Sequence, residues 1–224
     1  MIAFAGEVLL DMLSPWACGW LAALAHRRSY ADGELIHSRG DPVQSMGIVI
    51  KGEVKLVRLV ANGSHTFVSL IRAGQNFGDT VFLGMRRRTH DAIAVGEVEI
   101  DHFDAPAFEQ ILGNHEVVRA LYRVTAQRLG GSMAMCDDLR SLPRDVHLAK
   151  ILLSMWKRQG GQTVFACTQD DLASLLGTSI MSLSKHLAVL KQAGLVETGY
   201  RQVRIVSPKE LQNWLRLQAS RQRS

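Results

Sequence analysis

The chain has 224 residues, 47% of them hydrophobic and 21% charged, with a formal net charge of +5. That length suits two domains, and the composition is that of a globular protein rather than a disordered or fibrous one. No apolar run reaches the roughly 18 residues of a membrane span, and Cys18, Cys136 and Cys167 are too scattered for a disulfide framework, so a cytoplasmic protein without a membrane partner is expected.

Residues 6–27 read as helical, because Val8, Leu9, Met12, Leu13, Trp16, Trp20, Leu21 and Leu24 recur at helical intervals. Ser14-Pro15 breaks the stretch and starts a second helix, where the fixed φ of proline suits a first turn. Glu7, Asp11 and the lack of a basic leader argue against a secretory signal. Residues 29–104 then read as short strands. Runs such as Ser45–Ile50, Glu53–Val60, Thr66–Ile71, Ala92–Val95 and Val98–Asp101 alternate with turn signals at Asp32-Gly33, Lys51-Gly52, Asn62-Gly63, Ala73-Gly74 and Gly84. Such punctuation points to a β-sandwich or barrel, and Asn62-Gly63 to a type I′ hairpin.

From Pro106 the chain turns helical, first to Leu112 and then from about Glu116 to Leu139. Val118, Leu121, Thr125, Arg128, Ser132, Met135 and Leu139 follow an unbroken three-four spacing. Such a seam pairs a helix with its own copy as a coiled-coil homodimer; the alternative is packing inside the protomer. Gly130-Gly131 within it predicts a kink or a place of close backbone approach. Leu142-Pro143 ends the helix. The divisions expected are 1–115, the strand-rich part; 116–142, a dimerisation helix and hinge; and 143–224, a separate C-terminal domain.

The charge is divided unevenly. Residues 142–224 hold 12 Lys/Arg against 5 Asp/Glu, whereas residues 1–141 hold 14 against 16. A basic module beside a neutral one is the electrostatic footprint of a nucleic-acid binder with a separate sensing part. Within the basic module, residues 146–157 form an amphipathic helix and Thr163–Ala166 a short strand. Thr168 caps a helix that ends at Gly177, and the next begins at Thr178-Ser179 and runs to Ala193-Gly194. Two helices joined at a short glycine turn form a helix-turn-helix. The second helix offers Ile180, Met181, Ser182, Ser184 and Lys185 to a major groove, with Thr168, Gln169 and Ser179 at the helix starts. Residues 195–206 form a hairpin wing whose Arg201 and Arg204 reach for phosphates.

These features resemble the family of the cyclic-AMP receptor protein and the fumarate-nitrate regulator over nearly the whole chain. The resemblance is carried by Leu35–Asp41, Ile48–Val54, Phe77-Gly78-Asp79 and, most specifically, Thr168–Ser179. It implies an α+β chain: an N-terminal β-roll of the cyclic-nucleotide-binding jelly-roll type, a long dimerisation helix and a C-terminal winged helix-turn-helix. It further implies a homodimer on a two-fold symmetric double-stranded DNA site, an effector in each β-roll, and RNA polymerase as a further partner. The effector residues it assigns are Gly78, Asp79, Arg88, Thr89 and Ser132.

Two departures stand out. Where the family commonly carries Arg-Glu-x-x-x-Arg after the matched Ser179, this chain has Ile180-Met181 and Lys185, so the usual half-site is not expected. In the phosphate cassette, Asp79 is one methylene shorter than the usual glutamate and His90 replaces a small residue. Three readings of the pocket stay open: a mononucleotide, another ligand (a larger nucleotide, or a small anion held by Arg86-Arg87-Arg88), or no effector. The rival class is a cyclic-nucleotide-binding module without DNA binding. His37, His65, His90, His102 and His115 lack metal-ligand spacing, so no metal or haem site is expected. No nucleophile elbow, P-loop or dinucleotide fingerprint points to an enzyme.

Overall fold

A computed structural model describes residues 8–42, 45–59, 65–79, 87–158 and 161–221. The chain separates into two compact units, with the division between Ser132 and Met133.

The first unit opens on one 3-10 turn, Leu10–Met12, and α1, Pro15–Leu24. The Ser14 hydroxyl accepts from Ala17 N, and Pro15 takes the first turn, where its missing N–H costs nothing. The helix stops short of residue 27 because the chain enters β1, His26–Tyr30, paired antiparallel with β6. That register sets Arg27 opposite the buried Asp101, whose carboxylate accepts from Nε at 2.7 Å and from Nη2 at 3.0 Å.

The roll continues through β2 (Leu35–His37), β3 (Met46–Leu59), β4 (His65–Arg72), β5 (Asn76–Phe77) and β6 (Asp91–Phe103). The sheet is ordered β1-β6-β3-β4, with β2 added to β6 and β5 to β3. Lys51-Gly52 is not a turn between separate strands. It falls inside β3, where the register against β6 slips between Val49 and Glu53. Bulges of this kind bend a long strand, so one strand serves both layers of the roll. The Asn62-Gly63 hairpin, Gly84 and Arg86 lie outside the described residues.

Tyr30, Val49, Val54, Ile71, Phe77, Val98 and Ile100 fill the inside of the roll. A second cluster joins Leu9, Leu21, Met46, Phe103 and Phe108 to Val117, Leu121 and Val124. It is closed by α2, Ala105–Leu112, capped by Asp104, and by α3, His115–Ser141. Glu116 ties α3 to the start of α1 by accepting from Ser14 N at 2.5 Å and from its hydroxyl at 3.0 Å. α3 runs unbroken through Gly130-Gly131, where the sequence predicts a kink or a close approach. A Cβ on Gly130 would meet nothing within 4 Å in its own protomer.

The second unit comprises α4 (Arg144–Arg158), β7 (Val164–Ala166), α5 (Gln169–Leu176), α6 (Ile180–Gln192), β8 (Val196–Gly199), β9 (Gln202–Ile205) and α7 (Pro208–Arg221). Its small sheet is ordered β7-β9-β8. Leu148, Leu152, Phe165, Leu172, Leu183, Leu190, Ile205 and Leu211 are among its fully buried apolar residues. α7 lies beyond the last element that the sequence reading assigns. Its signal is present nonetheless: Pro208 at the first turn, then Leu211, Trp214 and Leu215 at helical spacing. Among the described residues, no single helix is long and apolar enough to cross a membrane.

Candidate nucleic-acid interface and effector site

Thr168 and Asp171 cap α5 reciprocally, with Asp171 N donating to Thr168 Oγ1 at 3.1 Å and Thr168 N to Asp171 Oδ2 at 2.9 Å. Gly177 ends the helix at φ +63, in the left-handed region that a side chain adopts only with strain. Ser179 then caps α6, its hydroxyl accepting from Ser182 N at 3.2 Å. The two helices meet at 93°, within the range of a helix-turn-helix. Leu172, Leu175 and Leu176 of α5 and Leu183, Leu187 and Leu190 of α6 are buried, which fixes the opposite side of α6 outward.

That outward side carries Ile180, 46% exposed, and Met181, 75% exposed, with Ser184 and Lys185 also exposed. Ser184 donates back to Ile180 O at 3.0 Å, and Ser182 shares a 3.4 Å contact with His186 Nε2. Gln169 is exposed at the start of α5. Thr168, expected to face DNA, has its hydroxyl committed to Asp171 at 2.8 Å, so its position is explained by capping. In the wing, Gly199 pairs with Gln202 and leaves Tyr200-Arg201 as a two-residue tip. Arg201 is exposed at φ +52, and Cys167 N donates to its carbonyl at 3.1 Å. A non-glycine residue held in that region is strain of the kind that gathers at functional sites. Arg204 instead pairs with Glu197 at 3.1 Å, both partly exposed. Tyr200, 91% exposed beside Arg201, is absent from the sequence reading, although its place at a wing tip was the available signal.

In the first unit, all five residues expected to hold an effector line one cavity of about 320 Å³: Gly78, Asp79, Arg88, Thr89 and Ser132. Asp79, buried, accepts from Arg128 Nη1 at 3.2 Å and from Thr125 Oγ1 at 3.4 Å. Arg128 also donates from Nη2 to Asn76 O at 2.6 Å and to Asn76 Oδ1 at 3.2 Å. The Arg88 backbone is pinned by Asp41 O and Gly40 N, and its Nη2 donates to Ser45 O at 2.5 Å. Gly78 stands at φ +74, where a Cβ would lie 2.3 Å from Arg88 Nη1, so only glycine leaves room for the guanidinium. Burial lowers the Arg88 pKa, opposed by Asp41, yet a guanidinium remains a cation in a protein. Thr89 Oγ1 lies 2.8 Å from His90 Nδ1, and burial, then Arg58 and Arg39, lower the pKa of His90.

Ser69 Oγ, Asn76 Nδ2 and Arg88 Nη1 are buried without a hydrogen-bond partner, and all three residues line this cavity. Unpaired buried polar atoms cost about 1–3 kcal/mol each, which is why a native fold keeps few of them. Asn76 Nδ2 is fixed as a donor, because Oδ1 already receives Arg128. Three such atoms around one cavity of this size suit a polar, acceptor-rich ligand.

Four of the seven residues of the expected seam are engaged within their own protomer. Leu121 is buried in its own protomer's core, Thr125 and Arg128 bond Asp79, and Ser132 lines the cavity. Val118, Met135 and Leu139 are only half-buried. The exposed stripe of α3 is a neighbouring one with the same spacing: Tyr122 at 74%, Ala126, Leu129 at 56%, Met133 at 59% and Cys136.

The models of two known domains match this chain: the cyclic nucleotide-binding domain over residues 27–115 and the Crp-like helix-turn-helix domain over residues 146–214. The chain belongs to the CRP/FNR family of transcription regulators. It is 28% identical to the cyclic AMP receptor protein of Thermus thermophilus over 87% of this chain and 90% of that one. It is 26% identical to the CRP-like cAMP-activated global transcriptional regulator of Mycobacterium tuberculosis, over 85% and 90% of the two chains. The structure of a CRP/FNR-family transcriptional regulator from Thermus thermophilus shares the fold at a TM-score of 0.71 and 21% identity, over 85% and 98%. In this CRP/FNR chain four of the five expected residues fall in the nucleotide-binding domain, Ser132 lines the cavity from α3 together with Arg128, and α5–α6 fall in the helix-turn-helix domain.

Proposed function

We propose that this CRP/FNR chain is a homodimeric, sequence-specific regulator that binds a two-fold DNA site under the control of an anionic effector in its β-roll. The observation that carries the DNA reading is the outward face of α6. The unit that bears it holds 12 Lys/Arg against 5 Asp/Glu over residues 142–224, and α6 meets its supporting helix at 93°. Helix α6 enters the major groove, while Lys185, Arg201 and the exposed Tyr200 meet the backbone. A gel shift with duplex DNA tests this. Binding that weakens steeply between about 50 and 200 mM salt is expected from phosphate neutralisation. Binding that is absent at low salt would overturn the reading.

The effector reading rests on the three unpaired polar atoms around the cavity. Arg88 holds the anionic group, with Thr89 beside it; Asp79, oriented by Arg128, and Ser132 take hydroxyl or base atoms. A cyclic mononucleotide meets this chemistry and fits the domain. Titration with 3′,5′-cyclic AMP and cyclic GMP, followed by thermal shift, checks it; at a hundredfold excess over Kd the expected stabilisation is about 2.7 kcal/mol. Two copies pair through the exposed stripe of Tyr122, Leu129 and Met133, placing two α6 helices on successive major grooves about 34 Å apart. RNA polymerase is a proposed further partner.

A further inference from the structure

We propose that Ile180 and Met181 make this protein a reader of pyrimidine methyl groups, so that its half-site presents thymine at the base pairs facing the first turn of α6. The inference rests on the DNA-binding reading and goes beyond it by stating what is read. Residues at the start of a recognition helix approach base edges most closely. Here the two that follow the cap are apolar and exposed, at 46% and 75%. Neither can donate or accept a hydrogen bond of any strength through its side chain.

The hydroxyls around them have local partners. Ser184 donates to Ile180 O at 3.0 Å, Ser182 faces His186 Nε2 at 3.4 Å, and Ser179 receives Ser182 N at 3.2 Å. What the first turn offers a groove is therefore a branched hydrocarbon and a thioether. Of the four bases, only thymine presents an apolar group in the major groove, the C5-methyl. Burial against a methyl also removes Met181 from water, which offsets the cost of leaving so large an apolar side chain exposed. Lys185, on the next turn, supplies charge to a phosphate or a guanine edge.

The partner is DNA rather than a protein surface because the patch sits in the basic unit, with Lys185 exposed next to it and Lys191 and Arg201 exposed on the same unit. Two apolar residues flanked by cations match a polyanion that displays isolated methyl groups.

The test uses the full-length protein and the duplex it selects from a random pool. Each thymine of the half-site is replaced in turn by deoxyuridine, which deletes the methyl and leaves every hydrogen-bonding edge intact. For the thymines facing α6, each replacement is expected to weaken binding about fourfold, the factor that one buried CH2 contributes. Cytosine replaced by 5-methylcytosine at a C·G variant of the same position is expected to restore part of the loss. In Ile180→Ala/Met181→Ala, both residues being exposed, the thymine–uracil difference is expected to vanish while salt-sensitive binding persists. Specific binding that is indifferent to every thymine methyl, or a selected half-site without thymine, would overturn this proposal alone. Failure to bind any duplex at low salt would overturn the DNA-binding reading with it.

Discussion

Arg128 and Asp79 face each other between α3 and the turn after β5, with Nη1 3.2 Å from Oδ1. The carboxylate side chain is 4% exposed and the guanidinium 21%. This ion pair fastens the long helix to the wall of the cavity that both residues line. Arg128→Ala leaves Asp79 buried with only the Thr125 hydroxyl at 3.4 Å. Breaking a buried pair from one side costs about 3–5 kcal/mol, and the partial exposure of Arg128 places the expected loss near the lower figure. Urea unfolding checks it. Asp79→Asn combined with Arg128→Met should lose less than the single Arg128 change, since no charge is then left alone.

Acid should weaken the β-roll in a defined window. Burial pushes His37 down to about 4, helped by Arg88 and His102 and opposed by Asp41 and Asp91. Burial likewise pushes His102 down to about 4, helped by Arg28 and Arg88 and opposed by Asp101. In the unfolded chain both titrate near 6.5. Between those limits the unfolded state binds protons that the folded state refuses. The stability is therefore intact above about pH 6.5 and declines as pH falls toward 4. His102 is also held by Tyr30 Oη at 2.8 Å and Ser45 Oγ at 3.1 Å, which are compatible with a neutral ring. Thermal unfolding from pH 7.5 to 4.5 should show a declining Tm, with a shallower decline in His37→Gln and His102→Gln. Equal slopes in wild type and both variants would show that neither ring titrates on unfolding.

What the sequence made legible, and what it did not, divides along a physical line. Local chemistry was readable: the Ser14 and Thr168 caps, the Gly177 bend and the α5–α6 pair follow from residue type and spacing over a few positions. Gly78, Asp79, Arg88, Thr89 and Ser132 share one cavity, which the resemblance implied and no local signal could have supplied. Lys51-Gly52 misled because glycine marks a bulge and a turn alike, and only the pairing partner decides between them. The α3 seam shows a related limit. Two stripes of that helix carry the same three-four spacing, and Leu121 of the expected stripe serves the protomer's own core. Ser69 and Asn76 gave no signal, because an unpaired buried atom exists only in the folded molecule.

Anion binding proposed for the cavity should be lost when either side of the Gly78–Arg88 contact is altered. Gly78→Ala places a methyl where Nη1 now lies, at a backbone angle that strains alanine. The guanidinium must shift, and the fold should lose about 1–3 kcal/mol. Arg88→Met keeps an apolar stem in the buried site and removes the unpaired Nη1, but it also removes the Nη2 bond to Ser45 O, so the ligand-free fold should lose about 1–3 kcal/mol. Both variants are expected to abolish the thermal shift given by a cyclic nucleotide. A shift retained in Arg88→Met would place the anion elsewhere.

The two stripes of α3 make opposite predictions, and that contrast tests the dimer directly. Leu121 is 6% exposed and packs with Val117, Val124 and the α2 core. Leu121→Ala should cost about 2–5 kcal/mol of stability through the cavity it leaves, with assembly intact. Leu129 is 56% exposed and Met133 59%, on the neighbouring stripe. Leu129→Glu should leave the protomer folded, because the side chain is mostly exposed there, yet bring like charges together across a seam where apolar side chains interdigitate. Sedimentation should report monomers at micromolar concentration. Affinity for a two-fold DNA site should fall toward that for a single half-site, since the second contact is no longer intramolecular. A Leu129→Glu protein that still sediments as a dimer would remove this stripe from the interface.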